Sequence, residues 1–544
     1  MTNKLHLFVV SFVLVLSSSS LSAQKFSRQD SLRGGLTPQR VWWDLNHYDL
    51  KVAVDPEKRY IKGSNTITYT PLKKGQNELQ LDLQAPMTIV QASQSGSSLK
   101  VRSEGSAHFI QLKSPVVVGT PSQLTISFEG APRVAQNAPW DGGWVWKKDQ
   151  NGNPFIATAN QGIGSSVWWP NKDHPADEVD SLAINISVPK DLTAVSNGRL
   201  TTVETTATTK TYHWKVVNPI NNYGVNINIG DYVHFDEVYK GEKGALDMDY
   251  WVLRDDLAKA QKQFAQAPMM MAAFEHWFGP YPFYEDSFKL VQVPYLGMEH
   301  QSSVTYGNQF KNGYLGRDLS RSGWGLKFDF IIIHEAGHEW FANNITNNDV
   351  ADMWIHEGFT AYSEGLYLDY HYGKQAAREY VLGTRAMVQN DRPVIGQYKV
   401  NHRGSGDMYY KGANILHMLR TIAQDDKVWR SILRGLNKDF YHQTVSSQRV
   451  EDYIAAALGL DLSPFFDQYL RTNKIPTLEY RLTKNGIAHR FTNVIPNFTM
   501  PLDLRIDKKN YRITPTSQWQ VIPLDQKPKK VSLPADYYVT LSKG

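Results

Sequence analysis

From about residue 42 to residue 237 apolar and polar side chains alternate in short runs, as in 61–69 (Ile-Lys-Gly-Ser-Asn-Thr-Ile-Thr-Tyr) and 182–188 (Leu-Ala-Ile-Asn-Ile-Ser-Val). Gly, Pro, Asn and Asp separate the runs, so the period of two predicts a large β-rich domain. Near Asp255 the period lengthens, and 257–277 predicts a helix stopped at Gly279-Pro280. Helical spacing then dominates to about residue 473, with a β-like interlude over 287–306. Short strands return after Pro476, for example at 478–482, 502–506 and 537–541, and predict a small β-sandwich. The expected fold is α+β and multidomain, with a β-rich domain at 24–248, a mostly helical domain at 249–475 and a β-sandwich at 476–544.

A length of 544 residues fits this division, because single cores stop growing near ~250 to 300 residues. The formal charge of +5 comes from 58 basic and 53 acidic residues without a basic block, which argues against a nucleic-acid partner. Lys4 begins a basic-then-apolar stretch of about a dozen residues that ends in small side chains at Leu21-Ser22-Ala23. It is short of the ~20 residues a bilayer span needs and reads as a signal peptide at 1–23. Later stretches do not reach spanning length, so no membrane span is expected in the mature chain. The absence of cysteine removes disulfides, thiol nucleophiles and cysteine metal sites. An exported chain of that kind suits a bacterial periplasm or secretion.

Candidate chemistry lies in the apolar run 328–341, which contains His334-Glu335-Ala336-Gly337-His338. On a helix, histidines four apart project from one face about 6 Å apart along the axis and can grip one zinc ion. Glu335 lies about 100° around the helix, off the coordination sphere but near a metal-bound water, where a general base belongs. A catalytic zinc takes a third protein ligand. Glu357 is the best candidate, with 18 residues between it and His338, and the adjacent His356 is its rival. Asp352 and Glu364 are candidates to orient a ligand imidazole from behind.

With these residues the chain resembles the gluzincin aminopeptidases, the family of aminopeptidase N and leukotriene A hydrolase, whose signature is H-E-x-x-H, 18 residues, then glutamate. The stretch 338–346 resembles the family's H-x-W-F-G-N-x-V-T, and 352–359 resembles D-L-W-L-N-E-G-F. The resemblance implies a saddle-like N-terminal β domain, a thermolysin-like catalytic domain and one Zn2+ per chain. Leu296-Gly297-Met298-Glu299-His300 aligns with G-x-M-E-N, which implies that Gly297 and Met298 line the substrate and that Glu299 binds its free α-amino group. Tyr409-Tyr410-Lys411-Gly412 resembles Y-x-K-G and implies that Tyr409 hydrogen-bonds the tetrahedral intermediate, with Tyr410 the competitor. Gln161 stands where the family carries a glutamine that also touches the amine.

The implied function is hydrolysis of the N-terminal bond of peptides with a free N-terminus. A thermolysin-type endopeptidase would share the zinc and the base without an amine anchor, and an exported peptide-binding protein would keep the fold without catalysis. Epoxide hydrolysis is compatible with the resemblance, but nothing in the sequence selects for it. The chain departs from the family motifs at Leu296 and Gly297, which stand where the family usually has Gly and a small residue, and at His300 and His356, which replace asparagines; side-chain preference is affected more than chemistry. The fragment 161–164, the S-x-x-K match at 97–100 and the methionine run 269–271 read as a turn, a strand segment and helix packing.

Overall fold

The computed structural model describes residues 25–113, 116–484 and 486–544. The expected signal peptide lies outside the described residues. After helix α1 (Arg28–Gly34), the β-rich part forms an eight-stranded sheet around Trp43–Asp55, which pairs antiparallel with Tyr60–Pro71 and parallel with Ser181–Pro189. Along Ser181–Pro189 the alternation sends Leu182, Ile184, Ile186 and Val188 inward. Beneath the sheet lies a core rich in tryptophan, including Trp43, Trp144, Trp168 and Trp169. A four-stranded sheet contributes Pro154–Ala159, whose end delivers the turn carrying Gln161.

The hairpin Tyr232–Gly241 and Gly244–Leu253 joins a five-stranded sheet with Phe288–Gln292, Gly297–Met298 and Val304–Tyr306. The expected boundary at 248/249 therefore falls inside a strand, and this hairpin belongs with the following part of the chain. The helix expected over 257–277 is two helices, α2 (Leu257–Phe264) and α3 (Gln266–Phe278). Pro268 explains the break, since it lacks the N–H that would bond back to residue 264 and is tolerated in a first turn.

Helix α4 (Phe330–Gly337) carries the H-E-x-x-H stretch and is buried on every side; Ile331, Ile332 and Ile333 are at most 1% exposed. Burial of each such side chain contributes about 1.5–3 kcal/mol, which anchors the ligand-bearing helix. Its N-cap Asp329 accepts from the Ile331 and Ile332 amides and from the Tyr306 hydroxyl, which ties α4 to the five-stranded sheet. Helices α5 (Trp354–Tyr372), α6 (Lys374–Thr384), α7 (Tyr410–Ala423), α8 (Asp426–Asp439), α9 (Ser447–Leu458) and α10 (Ser463–Leu470) complete the middle part.

The C-terminal strands form a four-stranded sheet containing Thr477–Thr483 and Gly486–Thr492, and a three-stranded sheet centred on Leu502–Ile506. Their apolar faces, with Leu478, Phe491, Phe498 and Leu504, merge with Trp354, Phe466 and Tyr469 into one core. Among the described residues, no helix is long and apolar enough to cross a membrane.

Candidate metal centre

The zinc helix ends at its second histidine. His338 is the C-cap of α4, and the next turn leaves helical geometry at Phe341 and Ala342. This turn directs the chain toward α5, which presents Glu357, Thr360 and Glu364 on one face by their spacings of three and four. Each of the three meets the α4 histidines. The Glu357 Oε2 atom lies 3.4 Å from His338 Nε2 and 3.8 Å from His334 Nε2. Thr360 Oγ1 is 3.0 Å from His338 Nδ1, which also lies 3.1 Å from the Phe341 carbonyl. Glu364 Oε1 is 2.7 Å from His334 Nδ1 and its other oxygen accepts from the Tyr380 hydroxyl at 2.6 Å.

Both Nδ1 atoms are thus engaged from behind, and both Nε2 atoms point at Glu357 Oε2, a buried oxygen with no hydrogen-bond partner. The three ligand atoms lie within 4.8 Å of one another. Ligand atoms around a tetrahedral zinc with bonds of about 2.0–2.2 Å are roughly 3.4 Å apart, close to this spacing. The charges agree as well, because Glu299, Glu335, Glu357 and Glu364 are each at most 8% exposed and lie around one point. Buried carboxylates at this density call for a compensating cation. The residues present fit zinc.

Although burial alone would raise it, hydrogen bonding to His334 and His338 holds the Glu357 carboxyl well below the usual carboxylate range. Burial, with Glu299 adding to it, raises Glu335 to about 7 against the pull of the imidazoles. Glu335 sits with Glu299 and His338 in a second group of converging ligand atoms. Burial also raises the Glu299 carboxyl. Its Oε1 accepts from Gln161 Nε2 at 2.7 Å and from the Tyr223 hydroxyl at 3.2 Å, while Asn343 holds its backbone carbonyl at 2.9 Å. Gln161 Nε2 also reaches Glu357 Oε1 at 2.9 Å. The β-rich part therefore inserts an amide between the Glu299 and Glu357 carboxylates.

Two close backbone approaches explain glycines in the motifs. A Cβ at Gly297 would lie 2.6 Å from Ile331 Cγ2 and 3.3 Å from Glu335 Cγ, so the strand Gly297–Met298 can lie against α4 only without a side chain there. A Cβ at Gly412 would lie 2.7 Å from the Gly358 Cα, so α5 and α7 touch backbone to backbone. That contact puts the Tyr409 hydroxyl 2.9 Å from Glu357 Oε1 and stacks its ring beside His334. Burial and the adjacent Glu357 carboxylate hold the phenol well above its usual pKa, so it keeps its proton. The hydroxyl bound to Glu357 is that of Tyr409, not Tyr410.

Asp352 differs from expectation. It accepts from the Tyr398 hydroxyl at 2.6 Å and the Ser447 amide at 3.0 Å, fastening the start of α5 to α9, and neither ligand imidazole bonds to it. Position 352 precedes α5 and so misses the face that Thr360 and Glu364 share. His356 turns away from the ligand atoms: its Nε2 accepts the Asn347 amide at 2.9 Å and its ring stacks near Tyr223. His300 is fully buried, with Nδ1 3.3 Å from Thr305 Oγ1. Ala342 replaces the motif's glycine at φ 154°, a conformation that costs a side chain strain. Thr360 and Tyr223 had no signal of their own in the sequence.

The Peptidase M1 N-terminal domain description matches residues 45–223, and the Peptidase family M1 domain description matches 263–469. Leukotriene A-4 hydrolase of Xenopus laevis is 22% identical over 442 residues, covering 76% of this chain and 68% of that protein. Human endoplasmic reticulum aminopeptidase 1 is 24% identical over 61% of this chain and 36% of its own length. Leucine aminopeptidase 2 of Vanderwaltozyma polyspora is 24% identical over 75% and 62%. The chain thus spans from about a third to about two thirds of these relatives. An M1 zinc metallopeptidase of Deinococcus radiodurans, solved as a mutant with a Tyr-Ser-Ala substrate, superposes with a TM-score of 0.68 at 20% identity, covering 81% of this chain and 97% of that one, a likeness of fold. With both M1 domains matched in order and a ligand set that fits zinc inside the second, the chain belongs to peptidase family M1, the gluzincin zinc aminopeptidases, and is a peptide-bond hydrolase by family.

Proposed function

We propose that the protein is an aminopeptidase that removes single residues from peptides with a free N-terminus. When bound by His334, His338 and Glu357, zinc supplies Lewis acidity toward the scissile carbonyl and acidifies a water. Glu335 takes the proton of the attacking water and passes it to the leaving amine. The Tyr409 hydroxyl donates to the developing oxyanion, which requires it to leave Glu357 Oε1 as substrate enters. Glu299, oriented by Gln161 and Tyr223, receives the substrate ammonium, while Gly297 and Met298 offer a strand edge to the substrate backbone.

The observation that carries this reading is the buried Glu299 carboxylate joined to Glu357 through the single amide of Gln161. An acid so near the ligand set leaves room for about one residue between ammonium and scissile bond, and an endopeptidase would have no use for it. The test compares a peptide with its N-acetylated form. Free peptides should be cut and blocked ones spared; equal rates would refute the exopeptidase reading, and no turnover of any peptide by the zinc-loaded protein would favour a binding protein. Glu335→Ala should keep zinc and abolish turnover. We further propose that the chain is exported to a periplasm or secreted, from its basic-then-apolar start; the mature protein should begin near Gln24, and an N-terminus retaining Met1 would refute this.

A further inference from the structure

The turn that follows α4 is held from the β-rich part as well as by its own chain. Ala342 stands in it at φ 154°, a conformation that persists in a residue with a Cβ only where neighbours fix it. The Ala342 carbonyl accepts from Thr346 Oγ1 at 2.5 Å, and the next residue, Asn343, donates to the Glu299 carbonyl at 2.9 Å. Asn343 accepts in turn from Asn221 Nδ2 at 3.1 Å, and Asn221 caps the short turn Asn222–Gly224 that carries Tyr223. On its other side Thr346 Oγ1 lies 2.5 Å from Glu178 Oε1, in the segment that leads into the strand Ser181–Pro189. Thr346 is fully buried, and its hydroxyl has one hydrogen for these two contacts. Oxygens 2.5 Å apart stand at the short end of O–H···O bonds and need a hydrogen between them. A carbonyl has none to give, so the second hydrogen belongs to Glu178. The carboxyl donates to Thr346, and Thr346 donates to Ala342.

Resting on the aminopeptidase reading, we propose that Glu178 in its protonated form is a positioning residue of the amine site, fixing the Ala342 turn through Thr346 and with it the Asn343 grip on Glu299. Its surroundings favour the neutral form. Burial, with the Asp177 charge adding to it, raises the carboxyl to about 8 against the hydrogen bond from Thr346. Asp177 is itself paired with Lys172, and among the described residues no Lys, Arg or His nitrogen lies within 4.0 Å of Glu178. Across the junction it faces Tyr223, whose hydroxyl is given to Glu299, with Glu357 and the His356 ring behind. When the proton leaves, the Thr346 hydroxyl turns to the carboxylate, because a charged acceptor outcompetes a carbonyl. Among the described residues the Ala342 carbonyl then keeps only Asn221 Nδ2, at 3.5 Å. The strained turn loses the bond that offsets its cost, and Glu299 loses a fixed neighbour. The ligand imidazoles keep Thr360 and Glu364, so the change falls on capture of the ammonium more than on the chemical step.

The test follows KM and kcat of the zinc-loaded full chain on Ala-Ala-Ala between about pH 6.5 and 9.5. The substrate ammonium titrates near ~8 as well, so the readout is the KM of wild type divided by that of Glu178→Gln at each pH, in which the substrate's own titration cancels. Glutamine keeps a donor toward Thr346 and cannot ionise. The ratio should be near one at pH 6.5 and rise about fivefold by pH 9.5, the worth of about one hydrogen bond, with kcat moving less. Glu178→Ala, which has no donor, should show the raised KM already at pH 6.5. A ratio that does not change with pH, or a Glu178→Ala enzyme with the wild-type KM at pH 6.5, would overturn the proposal. Urea titration reads the same proton without turnover. The unfolded carboxyl releases it near 4.5 and the folded one near 8, so wild-type stability relative to Glu178→Gln should fall between those values and level off above them. A flat difference would place no proton on Glu178. If wild type cut no free peptide at any pH, the aminopeptidase reading and the amine-site role would fail together, while the stability difference would still decide whether the Glu178 proton holds the turn.

Discussion

The contact between Gly358 and Gly412 can be broken by a single methyl group. In Gly412→Ala the new Cβ would meet the Gly358 Cα at 2.7 Å, about 1 Å inside the ~3.5–4.0 Å optimum for carbon atoms. Both partners are backbone of packed helices, so the clash can be relieved only if α5 and α7 separate. Overpacking of this kind costs typically about 1–3 kcal/mol. Separation by about 1 Å also draws Tyr409, the residue preceding α7, away from Glu357, and a misplacement of that size can cost about 100-fold in rate. We therefore expect Gly412→Ala to lower kcat on alanine anilide by 10- to 100-fold and to lower Tm, with zinc content by mass spectrometry near one per chain. Gly358→Ala, whose Cβ would meet Gly412 Cα and the Met408 carbonyl at 3.2 Å, should be milder. Gly406→Ala, with nothing within 4 Å, serves as the control. A Gly412→Ala enzyme with kcat within twofold of wild type would refute the claim that this contact sets the position of Tyr409.

Glu364→Gln should weaken zinc binding 10- to 100-fold in chelator competition, because Glu364 orients His334 through Nδ1. Tyr223→Phe removes one of two donors to Glu299 and should change kcat/KM for free-amine peptides several-fold while zinc affinity stays constant; an unchanged value would remove Tyr223 from the amine site. His174 is buried, its Nδ1 accepts the Ala176 amide, and burial with the nearby Arg40 charge lowers its pKa to about 3. The unfolded chain binds that proton more readily, so this contribution to stability is present above pH 6.5 and is lost as pH falls toward 3. Between pH 6.5 and 5 the loss is about 2 kcal/mol, measurable by urea titration, and His174→Gln should flatten that slope.

The layers, and the convergence of His334, His338 and Glu357, were legible because each follows a period. Strand alternation marks the sheets, and His334, His338 and Glu357 belong to helices whose apolar runs are long enough to read. The boundary at 248/249 was not legible, since a hairpin that changes sheet carries the same alternation as one that does not. Pro268 marked the break between α2 and α3 but was masked by the strength of the surrounding apolar pattern. Tyr223 lies 76 residues from its partner Glu299 and Gln161 lies 138 from it, so local spacing cannot connect them; only the resemblance pointed to Gln161. Asp352 and Glu364 looked equivalent in sequence. Their difference is helical phase, because Glu364 shares a face with Glu357 and Asp352 comes before the helix begins.

The amide of Gln161 and the hydroxyl of Tyr223 come from the β-rich part, whereas the acids they hold come from the helical part. The proposed amine site is thus a property of the two parts together. If the proposed function holds, a chain whose two parts have not yet met keeps His334, His338 and Glu357 in one segment and Gln161 and Tyr223 in another, so the onset of peptide trimming during refolding should act as a clock for assembly of the two parts.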